Sequence, residues 1–101
     1  MGLSHPETAK TIDGMGTTYL TDGKIKLALP YFLLSYKLLS DTLDQKHSDV
    51  MQVYKHLQTV HRKMGVLQSF DNWLAMQLEK SINELEAELQ NNEVYTNSIK
   101  E

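Results

Sequence analysis

Residues 5–39 read HPETAKTIDGMGTTYLTDGKIKLALPYFLLSYKLL, and the fold is decided in this stretch. Ile12, Met15, Tyr19 and Leu20 follow one another at spacings of three, four and one, which is a single helical stripe. Beyond Thr21-Asp22-Gly23 the apolar face broadens to Ile25, Leu27, Ala28, Tyr31, Phe32, Leu34, Tyr36, Leu38 and Leu39. Two helices joined by a short turn account for both halves. Gly16 and Ala28 stand where two antiparallel helices would cross, and small side chains there allow the backbones to approach closely. The first helix is predicted to end near Leu20, and the second to run from Lys24 to about Thr42.

The flanks support this hairpin. Pro6 suits a first helical position, where its missing N–H costs nothing. Ser4 or His5 would then cap, with Glu7 near the positive helix end. Pro30 removes one backbone hydrogen bond inside the second helix and is expected to bend that turn.

A shift of 42 residues carries the pattern forward without a gap. His5 becomes His47, Ile12 becomes Tyr54, Met15 becomes Leu57, Gly23 becomes Gly65 and Tyr31 becomes Trp73. Pro6 becomes Ser48, a candidate N-cap followed by Asp49. The small residues do not repeat, because Gly16 becomes Gln58 and Ala28 becomes Phe70. The second helix pair is therefore expected to splay further apart than the first.

The order of these residues, His-Pro, an apolar pair ending in a small residue, Tyr, Asp-Gly-Lys and then Ala-x-Pro-aromatic-aromatic, resembles a tetratricopeptide repeat of the kinesin light chain type. Repeats of that type run at 42 residues rather than 34. Ile12, Met15, Gly16 and Tyr19 match the first-helix signature, Gly23 the turn, Ala28 and Phe32 the second-helix knobs, and Pro30 a tolerated proline. Ser35 departs from the usual small alanine. Asp13-Gly14 and Lys55-His56 stand where the pattern usually carries paired asparagines.

The resemblance implies repeat one at about 5–44, a degenerate repeat two at about 47–90, and a concave peptide-binding face built by the first helix of each pair. The outward positions on those helices are Lys10, Asp13 and Thr17, then Gln52, Lys55, Thr59 and Arg62. Lys55 and Arg62 lie seven residues apart, two turns along one helix, so they form one basic row with Thr59 between them. An extended acidic peptide is the expected partner of such a face.

Phe70, Trp73, Leu74, Leu78, Ile82, Leu85 and Leu89 keep one apolar stripe, and this predicts a single fourth helix longer than a repeat requires. Ile82, Leu85 and Leu89 extend past what two hairpins can cover, so self-association through them is expected. Asn91-Asn92 is a stop signal, and 91–101 is expected to fray.

Composition narrows the function classes. At 101 residues with 41% hydrophobic content the chain is one small domain, burying roughly two-thirds of its unfolded surface. The chain has no Cys, which removes disulfides and thiolate chemistry and fits the cytoplasm. No apolar run is long enough to span a membrane. The net charge of −3 is unevenly spread: residues 45–66 carry four cations against Asp49 alone, and residues 79–101 carry six Glu against two Lys. Four basic side chains make no continuous nucleic-acid stripe.

No glycine-rich phosphate loop, nucleophile elbow or apolar carboxylate pair is present, so neither an enzyme nor a cofactor is expected. His5 and His47 mark helix starts at the repeat period, while His56 and His61, five apart, do not align as metal ligands. Tyr31, Phe32, Tyr36 and Trp73 are spaced for packing between helices rather than for a ligand cage.

The expectation is therefore an all-α chain of antiparallel hairpins. It would form a fragment of a right-handed tetratricopeptide-like α-solenoid with an extended C-terminal helix, serving as a protein–protein interaction module. Two further readings stay open. One is a small structural subunit of a large assembly. The other is the repeat-bearing fragment of a larger protein such as a MYND-SET methyltransferase.

Overall fold

The computed structural model describes residues 6–43 and 47–90, and these form an all-helical chain. Five helices follow in order: α1 (Pro6–Thr21), α2 (Ile25–Thr42), α3 (Ser48–Met64), α4 (Phe70–Gln77) and α5 (Ile82–Gln90). The expected caps at Ser4 and His5 and the expected fraying of 91–101 lie outside the described residues. Among the described residues, no helix is long and apolar enough to cross a membrane.

The α1–α2 turn closes by backbone geometry. Gly23 adopts φ 80°, its N–H donates to the Leu20 carbonyl at 3.0 Å, and Lys24 N–H donates to Tyr19 O at 2.9 Å. This pair of bonds satisfies carbonyls that the end of α1 would otherwise leave open. Forty-two residues later Gly65 caps α3 in the same left-handed region, at φ 67°. Both positions need a residue without Cβ.

Helix α2 is the centre of the molecule, packed by α1, α3 and α5. That explains why its burial runs nearly all round the helix: Ala28, Tyr31, Phe32, Leu33, Leu34, Ser35, Leu38 and Leu39 are all buried. The α helix continues through Pro30. Gly16 does form the close approach of α1 to α2, but it meets Phe32 and Tyr31 rather than Ala28. A Cβ built on Gly16 would lie 2.8 Å from Phe32 Cε1 and 3.0 Å from Tyr31 Cβ. Ser35 sits in the same interface, and its hydroxyl donates to the Ala9 carbonyl at 2.7 Å. The departure from alanine at position 35 thus becomes a hydrogen bond between α1 and α2.

The second pair is held differently. Helix α4, eight residues long, makes a smaller contact with α3 than α2 makes with α1. Aromatic rings fill the space. Phe70 meets Tyr54 edge-on at 5.3 Å, and His61 lies 5.1 Å from Trp73. The His61 Nε2 is 2.7 Å from the Gln68 carbonyl, which ties the α3–α4 loop to α3. Because a carbonyl only accepts, the proton resides on Nε2.

Two expectations are corrected. The single extended C-terminal helix is two short helices, broken over residues 78–81. Ser81 ends the break by accepting from Glu84 N–H at 3.1 Å, an N-cap for α5. The break turns α5 onto α2, so Leu85 and Leu89 are buried inside the chain and are not a strip awaiting a partner. Second, the N-cap of α3 is His47 and not Ser48: its Nδ1 accepts from Asp49 N–H at 3.1 Å, and Ser48 becomes the first helical residue.

Candidate functional site

Helices α1 and α3 lie side by side across α2 and enclose a groove of about 470 Å³. Lys10, Asp13 and Thr17 of α1 line one wall, and Asp49, Gln52 and Val53 of α3 line the other, with Leu39 of α2 below. Gly14 opens the groove, since no atom lies within 4 Å of where its Cβ would stand. Four of the seven expected binding residues, Lys10, Asp13, Thr17 and Gln52, therefore come together. Lys55, Thr59 and Arg62 continue along α3 but do not line the groove. Lys55 and Arg62 are exposed, and Thr59 is half-buried.

The charges in the groove are largely matched within it. Lys10 Nζ lies 3.2 Å from Asp49 Oδ2, an ion pair that bridges the two walls. Lys10 is 57% exposed and Asp49 25%, so the pair is solvated and contributes on the order of 0–1 kcal/mol. Deeper in, His56 Nδ1 lies 2.9 Å from Asp13 Oδ1 and again joins α3 to α1. These side chains are only 23% and 13% exposed. The carboxylate can only accept, so Nδ1 carries the proton. The His56 ring rests on Phe32 with centroids 5.1 Å apart, which fixes its orientation from below.

The hydroxyls expected on both walls are partly engaged. Thr17 donates to the Asp13 carbonyl at 3.0 Å, and Thr59 donates to the Lys55 carbonyl at 3.1 Å. Each hydroxyl keeps acceptor capacity toward the groove or solvent. With Lys10 as its one cation and Asp13 and Asp49 as its anions, the lining is acidic on balance, not basic as anticipated. The basic character of this face begins one to three turns further along α3, at Lys55 and Arg62. His56 and Asp49, which complete the groove electrostatically, were not among the expected site residues. Asp13 and His56 are 43 positions apart, one more than the repeat period, and the crossing of α1 and α3 brings them together.

The lining offers carboxylate and amide acceptors, and hydrogen-bond donors at Lys10 and Gln52. No nucleophile with an adjacent base stands in it. No protein-family model, characterised protein or solved structure matches the chain.

Proposed function

We propose that the chain is a protein–protein interaction module of tetratricopeptide-like hairpins, whose α1/α3 face receives an extended segment of a partner protein. The observation that carries this reading is the groove itself, with Lys10, Asp13, Thr17 and Gln52 gathered on facing walls. Gly23 and Gly65 both adopt left-handed φ one period apart, which supports the repeat reading, while the loops they stand in run over three and five residues.

The charge layout gives the segment a direction. Its backbone lies over Asp13, Asp49 and Gln52, and its acidic side chains extend toward Lys55 and Arg62. Because these two cations are exposed, each adds under ~1 kcal/mol, and binding weakens with salt. A screen of nine-residue acidic and neutral peptides against the chain, repeated with Lys55→Glu and Arg62→Glu, tests this. The acidic set should bind more tightly, and the reversals should weaken that preference. Equal affinity in both sets would leave the α3 row as solvated surface.

A further inference from the structure

A second concavity, of about 540 Å³, lies where the α1–α2 turn meets the last turn of α3. Its floor is apolar: Ile25 and Met64 are half-buried, and Leu27 is 49% exposed. Its rim carries Lys24, Lys26 and Lys63, all exposed, with no carboxylate among the lining residues. Among the described residues none of these lysines takes part in an ion pair. Asp22, the nearest acid in sequence, does not line the concavity.

The backbone adds charge of the same sign. Lys24 is the N-cap residue of α2, no side chain caps that end, and no acid stands in its first turn. The positive end of an 18-residue helix therefore opens beside the three ammonium groups. The size is that of a ligand pocket.

We propose that this concavity docks a short acidic segment of another protein, one that carries a large apolar side chain between its carboxylates. The apolar side chain rests on Ile25, Leu27 and Met64. The carboxylates meet Lys24, Lys26 and Lys63 and the first N–H groups of α2. The site is separate from the α1/α3 groove and does not depend on it.

Two other occupants fit less well. A second copy of this chain would offer the exposed Glu84 and Glu88 of α5, but Leu85 and Leu89 of that helix are buried at home, so neither leucine serves as an apolar anchor. An anionic membrane calls for apolar side chains that project outward, whereas Ile25 and Met64 are recessed in a hollow.

The test is fluorescence anisotropy on the whole chain carrying Lys55→Glu with Arg62→Glu, which removes the acid preference of the α1/α3 groove and so separates the two sites, with a labelled Glu-Asp-Leu-Phe-Asp-Glu peptide and its neutral counterpart Gln-Asn-Leu-Phe-Asn-Gln. The acidic peptide should bind about tenfold more tightly than the neutral one. Lys24→Glu with Lys26→Glu and Lys63→Glu should abolish that advantage, and Leu27→Glu should weaken both peptides. Thermal melts check that the variants remain folded, as expected for exposed positions. Equal affinity for the two peptides overturns the proposal, and so does an acid preference that the three lysine reversals leave unchanged. It is equally overturned if the lysine reversals abolish binding to phosphatidylserine vesicles, or a concentration-dependent doubling of mass, while peptide binding is absent.

Discussion

Replacing Gly14 and Gly16 by alanine, one at a time, makes a matched pair that isolates the α1–α2 contact. Both glycines lie inside α1, so each substitution gains about 0.5–1 kcal/mol from reduced backbone freedom in the unfolded chain. At Gly14 the new methyl meets nothing within 4 Å, and that gain should appear intact. At Gly16 it would stand 2.8 Å from Phe32 Cε1, 3.0 Å from Phe32 Cδ1 and 3.0 Å from Tyr31 Cβ. Phe32 is fully buried and Tyr31 is 1% exposed, so neither ring has open space to move into. Overpacking of such a site costs about 1–3 kcal/mol, more than the helix gain.

Gly14→Ala should therefore raise the melting temperature by about 2–8 °C, and Gly16→Ala should lower it. The gap between the two variants equals the overlap alone, about 1–3 kcal/mol, because the helix term is common to both. Urea unfolding followed by fluorescence of Trp73, the one tryptophan and a buried one, reads both values in the same experiment. If the two variants agree within about 0.3 kcal/mol, α1 does not approach α2 at Gly16 and the packing described above is wrong.

Leu85→Ala should cost about 2–5 kcal/mol in the same assay, because that side chain is fully buried where α5 meets α2; a loss under about 0.5 kcal/mol would mean that α5 does not dock. Ser81→Ala should remove the cap of α5 and cost about 1 kcal/mol, with Ser81→Gly losing only a few tenths. Burial, and then the neighbouring Tyr54, raise the Tyr36 phenol above its ordinary value of 10.0. The unfolded chain then loses the proton first, so this contribution to stability is fully present below pH 10 and is lost as pH rises through the folded value. Denaturation midpoints measured from neutral to strongly alkaline pH should fall in that window, and the fall should be smaller in Tyr36→Phe.

Local chemistry explains which elements could be read in advance. The α1–α2 hairpin is announced by one apolar stripe, a broader second face and a glycine turn, and local and tertiary signals agree there. Gly65 follows from Gly23 by the period, because a left-handed cap tolerates few other residues. The C-terminal break was hidden by the stripe Leu78, Ile82, Leu85, Leu89, whose spacing suits one helix as well as two. The signal against a single helix was Ser81-Ile82-Asn83-Glu84, a capping-box pattern in the middle of the stripe. His47 displaced Ser48 as N-cap because an imidazole nitrogen can accept as a hydroxyl does, which residue preferences rank low.

The groove shows the same division. Helical spacing places Lys55, Thr59 and Arg62 in one row, but spacing does not say how far along α3 the facing α1 extends. Lys10–Asp49 and Asp13–His56 arise from the crossing of two helices far apart in sequence, and that offset is not encoded in either helix alone.

The most direct measurement on the interaction-module reading is an amide shift map of the full chain, titrated with peptides selected on it from a random display library. The largest shifts should fall at Lys10, Asp13, Gly14 and Thr17 of α1 and at Asp49, Gln52 and Val53 of α3, with smaller ones reaching Lys55 and Arg62. A selection that returns no peptide, or shifts confined to α4 and α5, would contradict it.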